Sequence, residues 1–166
     1  MSALNPIPQS SYPTQQILTR TTTVLLQPLV TASSAYTANN CVGGRLIFPN
    51  IFGAQQSGII QNITVTCRTT QTTGYKLYIF SDNPSNTTIT DKATPTLSAL
   101  DVPKLVDVIT LGAADSTLTP TINVTDNIGR AVVSPTPNLY AILLTTATPT
   151  YVATTDLFVS ITVLQD

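Results

Sequence analysis

The sequence has no histidine, no glutamate and no tryptophan, one methionine and two cysteines, and only 9% of its residues are charged, against about 25% in ordinary soluble domains. Each shortage removes a class of chemistry. Without histidine there is no Ser-His-Asp or Cys-His nucleophile pair and no imidazole ligand for a metal. Without glutamate the capping boxes and Glu-to-Lys pairs of surface helices do not form, which argues against a mainly helical protein. Seven cations and eight Asp give a net charge of −1 with no basic stripe, so phosphate counterion release has nothing to draw on and no nucleic-acid partner is expected. No apolar run approaches the ~18 residues of a membrane span, and the region around Met1 lacks the cationic start and apolar stretch of a secretory signal. The expectation is a soluble protein made in a cytoplasm, with no membrane partner.

What the chain has in quantity is threonine, 31 of 166 residues, alongside many Val and Ile. Branching at Cβ restricts χ1 and favours pleated, half-buried strands. Cys41 and Cys67 match neither a CxxC pair nor a zinc site, so two buried free thiols are expected. The triplets at Asn62, Asn86 and Asn123 fit the glycosylation pattern, but so threonine-rich a chain produces that pattern by chance.

Residues 1–19 carry no side-chain charge and hold Pro6, Pro8 and Pro13 among Ser and Gln, a composition that neither packs a core nor propagates a helix. They read as an extended N-terminal arm, which at ~3.3 Å per residue reaches about 60 Å, enough to cross a neighbouring subunit. Residues 20–166 read as one domain of short β-type runs broken by turn chemistry. The first run, residues 21–30, contains Pro28, which confines it to an edge or a bulge. Gly43-Gly44 and Ser57-Gly58 read as turns, the first introducing a strand over residues 45–48. In residues 59–68, Ile59, Ile63, Val65 and Cys67 are expected on one face and Asn62, Thr64, Thr66 and Arg68 on the other. Residues 75–81 are apolar on both faces, which marks a central strand. The Asp82-Asn83-Pro84-Ser85-Asn86 stretch is a concentrated turn. Further strands fall at residues 105–111, 121–124, 131–133, 139–145 and 157–164, the last alternating Leu157, Val159, Ile161 and Val163 with Phe158, Ser160, Thr162 and Leu164. About eight or nine strands in one domain predict an all-β, antiparallel two-sheet sandwich of jelly-roll type.

The candidates for chemistry are few. Asp82, Asp91, Asp101, Asp107, Asp115 and Asp126 are the carboxylates from which a glycosidase-type pair would have to come, yet most sit beside Asn, Pro, Gly or Ser, where a turn or solvated role explains them. The Ser81–Asn86 loop with Asp91 offers oxygens to calcium, without the spacing or terminal Glu of an EF-hand. No Lys-Ser/Thr helix start follows the glycine clusters, so no phosphate loop is expected. Tyr36, Tyr78, Tyr140 and Tyr151 are candidates for a sugar-binding face, although aromatic stripes in strands more often belong to a core or an interface. No catalytic residue, metal or cofactor is assigned.

Several segments occur together in a telling order: Ala35-Tyr36-Thr37 before Val42-Gly43-Gly44-Arg45-Leu46-Ile47-Phe48; Ser57-Gly58-Ile59-Ile60-Gln61-Asn62-Ile63-Thr64-Val65; Leu77-Tyr78-Ile79-Phe80-Ser81-Asp82-Asn83-Pro84, running on through Asn86-Thr87-Thr88-Ile89-Thr90-Asp91; Leu139-Tyr140-Ala141-Ile142-Leu143; Thr148-Pro149-Thr150-Tyr151; and the closing residues 156–166. Over residues 30–166 this resembles a family of small structural proteins of tailed bacteriophages, with its tyrosine, glycine and Phe-x-x-x-Pro landmarks. The chain departs from that pattern in being richer in Thr and poorer in charge through its middle. The resemblance implies a virion component on the capsid exterior: a cement or decoration protein, synthesised in the host cytoplasm, that bridges and stabilises major capsid subunits as a homodimer or homotrimer. In that role the arm lengthens the grip, with Tyr12, Ile17 and Leu18 as its expected anchors. The alternative is a carbohydrate- or receptor-binding virion module, such as a head fibre or tail accessory domain.

Overall fold

The structure, a computed structural model, describes residues 20–117 and 119–166; the expected anchors Tyr12, Ile17 and Leu18 lie outside the described residues. The β-branched runs form nine strands: β1 (Arg20–Leu26), β2 (Cys41–Phe48), β3 (Ser57–Cys67), β4 (Tyr75–Phe80), β5 (Leu105–Leu111), β6 (Thr121–Thr125), β7 (Arg130–Val133), β8 (Leu139–Thr145) and β9 (Leu157–Gln165). One sheet runs β1-β9-β3-β6, with β7 also on β3, and the other β2-β8-β4-β5. Every pairing is antiparallel. The pairs are nested, first strand with last, second with next to last, third with the split pair β6 and β7, and β4 with β5. That is a single antiparallel ribbon wound over itself into two layers, the jelly-roll arrangement expected.

The core lies between the layers. Val159, Ile161 and Val163 of β9, Ile63 and Val65 of β3, and Leu77, Ile79, Leu143 and Ala141 of the opposing sheet are fully or almost fully buried there. One end is closed by three tyrosines: the Tyr36 and Tyr151 rings meet edge-on, 5.2 Å apart, and the Tyr75 and Tyr151 hydroxyls are 3.1 Å apart. β1 forms an edge of its sheet as expected for a run holding Pro28, but it ends at Leu26, short of the expected residue 30. Cys41 and Cys67 are buried free thiols.

Three expectations need correction. Ile59 faces outward and Ile60 inward, because Ile60 pairs with Val163 while Asn62 pairs with Thr162. Gln61 is thus an extra residue, and this bulge reverses the in-out parity on which the alternation was read. Gly43-Gly44 is not a turn. It lies inside β2 at a register shift opposite β8, both residues at positive φ, and a Cβ on Gly43 would sit 2.3 Å from Cβ of Pro28. Gly58 is likewise within β3, where a Cβ would come 2.7 Å from the Leu164 carbonyl oxygen. In both places glycine is needed for close approach of neighbouring chain.

Candidate functional site: a strapped apolar face and a bare one

The outward surfaces of the two sheets differ. On the five-stranded sheet the register sets Leu25, Ser160, Thr64 and Val124 in one row, Thr23, Thr162 and Asn62 in another, and Phe158, Thr66 and Ile122 in a third. None carries a charge, and hydroxyls such as those of Thr23 and Thr162, 2.9 Å apart, bond across the strands. On the four-stranded sheet the outward rows are Arg45, Ile142, Tyr78 and Val108, then Ile47, Tyr140 and Phe80. Phe80, Tyr140, Ile142 and Leu144 cluster with Cys41 as a second, smaller core on the outside of the sandwich.

That second core exists because residues 81–104, the connection between β4 and β5, fold back across it as a strap. Its mouth is closed by the Ser81 amide on the Lys104 carbonyl (2.9 Å), its middle by reciprocal bonds between Thr88 and Thr96 (3.2 Å each), and its far end by Lys92 and Ala93 on the backbone of Cys41 (2.8 Å each). Two carboxylates fasten it. Asp101, fully buried, accepts from the Asn86 amide and Thr87 hydroxyl at 2.8 Å and from Lys104 Nζ at 2.9 Å. Burial alone would push its carboxyl up, but the hydrogen bonds from Lys104, Thr87 and Asn86 outweigh that and hold it well below the usual carboxylate range. Asp91 accepts from the Gly43 amide at 2.7 Å, from the Thr31 amide and hydroxyl at 2.9 and 2.7 Å, and from the Tyr36 hydroxyl at 2.8 Å. Burial, with Asp91 beside it, raises the Tyr36 phenol far above its ordinary value.

The other carboxylates have equally local partners. Asp82 caps the Asn83 amide, Asp115 binds Thr117, Asp126 accepts from Asn62, and Asp107 pairs with Arg130 at 2.7 Å. Asp91 and Asp82, the oxygens considered for calcium, each face N–H or O–H donors, and among the described residues no group of three His, Cys or Asp side chains is placed to hold a metal. The three asparagines of the glycosylation triplets serve the fold: Asn62 bonds Asp126, Asn86 bonds Asp101, and Asn123 donates to the Thr73 carbonyl. Burial pushes the Cys41 thiol up to about 12 and raises Cys67 as well, so both stay protonated at neutral pH. The four tyrosines proposed for a sugar face do not share one. Tyr36 and Tyr151 are core residues, Tyr140 is almost covered in the outer cluster, and Tyr78 is half-buried.

The strap leaves an opening beneath it. A cleft of about 390 Å³ runs between its underside, at Thr87, Thr94, Pro95 and Leu97, and a floor of Tyr78, Phe80, Ile142 and Leu144, with Asn39 at one end. Its size falls within the range of small-ligand and peptide sites, and no charged residue lines it. Sequence reading missed both strap and cleft. The available signal was β8, where Leu139-Tyr140-Ala141-Ile142-Leu143-Leu144 is buried at every position and so needs cover on both faces.

The class that the fold defines is the two-sheet jelly-roll sandwich, an architecture that occurs in viral capsid, lectin and cupin domains alike and fixes no function by itself. The chain matches no family model and no curated protein.

Proposed function

We propose that the chain is a structural protein of a tailed-phage virion, a cement or decoration protein that sits on the outside of the head and bridges major capsid subunits as a homo-oligomer. The observation that carries this reading is how the polar groups are used. Among the described residues every buried side-chain nitrogen and oxygen has an internal partner, and the carboxylates fasten turns and the strap. The polar chemistry is committed to holding the body rigid, while the edge strand β1 and a sheet face of hydroxyl and apolar rows, carrying Arg68 over Phe158 and Asp126 on Asn62, remain outward. A rigid body with a net charge of only −1 packs beside copies of itself with little repulsion, and contacts to several subunits at once multiply through effective concentration. Arg20 opens edge strand β1, so residues 1–19 join the body at a sheet edge, where an added strand or a strap across a neighbour is most easily accommodated. The resemblance to small tailed-phage structural proteins points the same way.

Counting copies on purified particles by mass spectrometry and cryo-electron microscopy tests the reading. Hundreds of copies on the head exterior are expected, and deletion of residues 1–19 is expected to weaken attachment while the domain stays folded. Absence from assembled particles overturns the proposal.

A further inference from the structure

We infer that the cleft beneath the strap is a receptor for residues 1–19 of a second copy of this chain, so that the protein assembles by exchanging its arms. This goes beyond the capsid reading and stands without it, since it concerns the isolated protein.

The first argument is chemical fit. The cleft offers two aromatic rings, Tyr78 and Phe80, the ring of Pro95, and the aliphatic Ile142, Leu144 and Leu97, with no charge among them. Residues 1–19 also carry no charged side chain and combine three prolines with Tyr12, Ile17 and Leu18. Proline-rich, uncharged segments dock well in aromatic-lined grooves, because proline leaves little conformational entropy to lose on binding. At its polar edge Asn39 and Thr94 supply amide and hydroxyl groups to the backbone of an extended guest, the Thr87 hydroxyl being taken by Asp101.

The second argument is where the arm joins the body. Arg20 pairs with Gln165, whose side chain donates to the Ile51 carbonyl, so the arm leaves at the end of the sandwich that holds the β2–β3 turn. The cleft lies on the outward face of the other sheet, its floor running from Phe80, near that same end, to Leu144 and Asn39 by the opposite one. Because β1 runs inward from Arg20, the arm leaves pointing away from the body, and to fill its own cleft it would have to reverse there and cross to the outer face of the other sheet. The arm of a neighbour needs no reversal, and about 60 Å of extended reach spans the gap between two bodies.

Cysteine cross-linking in the full-length protein tests the inference, because Cys41 and Cys67 are buried and give a quiet background. Ser11→Cys in one copy is mixed with Thr94→Cys in another and mildly oxidised, with Val133→Cys, 77% exposed on the other sheet, as the control acceptor. We expect a covalent pair through positions 11 and 94, and at least about tenfold less product with the control, since only a docked arm raises the local thiol concentration. Light scattering is expected to show an oligomer that falls to monomer when residues 1–19 are deleted, with the far-ultraviolet circular dichroism of the sandwich retained. Four results overturn the inference: a monomeric full-length protein, an oligomer that survives the deletion, equal linking to Val133→Cys, or closure of a doubly substituted chain onto itself. None of these measurements involves particles, so failure here and failure of the capsid reading are separately visible.

Discussion

The two sheets share one core but differ on their outer sides. The five-stranded sheet turns a threonine-bearing face outward that no connection among the described residues folds across, where cross-strand neighbours meet with Arg68 over Phe158 and Asp126 on Asn62. The four-stranded sheet turns Phe80, Tyr140, Ile142 and Leu144 outward and covers them with a strap formed from its own β4–β5 connection. Burial on the second face depends on loop closure, and the loop is closed by a few backbone bonds and by hydrogen bonds to two carboxylates rather than by a continuous strand ladder. A jelly roll therefore gains a second, small core where one connection is long enough to fold back, with a cleft left beneath that connection.

The comparison breaks most visibly at Phe80. If the outer cluster is packed like a core, Phe80→Ala costs about 3–5 kcal/mol, read by chemical denaturation; a cost near zero would mean that the strap does not bury it. The strap's fastening gives the next effect. Asp101 has a folded-state carboxyl below the unfolded value of about 3.9, so its contribution is complete above that value and is lost as the pH falls through and below it. Asp101→Asn is expected to lower stability at pH 7 and to flatten the decline between about pH 5 and pH 2, measured as thermal midpoint against pH; an unaltered profile would remove Asp101 from the fastening. The smallest effect belongs to the bare face, where Thr162→Ala should change stability by no more than about 0.5 kcal/mol, because its cross-strand hydroxyl bond is exposed.

Strand positions were legible because turn residues and β-branched runs are local signals. The limits of β5 and β8 coincide with those read from the sequence, and the alternation of β9 places Leu157, Val159, Ile161 and Val163 inside. Parity failed in β3, since a one-residue bulge at Gln61 has no composition signature. Gly43-Gly44 was misread because a strand bulge and a turn demand the same positive φ. Strand order was illegible, as a pleated pattern states which face is buried and not which neighbour it bonds. The strap escaped notice for a related reason: Asp91 finds Thr31, Tyr36 and Gly43 at a distance in sequence, and only the unbroken apolar run of β8 hinted that its outer face needed a lid.

All seven residues of β1 pair with β9, which is itself flanked by β3 on its other side. A pull on Arg20 along the strand axis therefore loads that whole ladder in shear, its bonds sharing the tension at once, where a pull across the sheet would unzip them one after another. The load passes directly into the middle of the sheet, which suits β1 to anchor a tether.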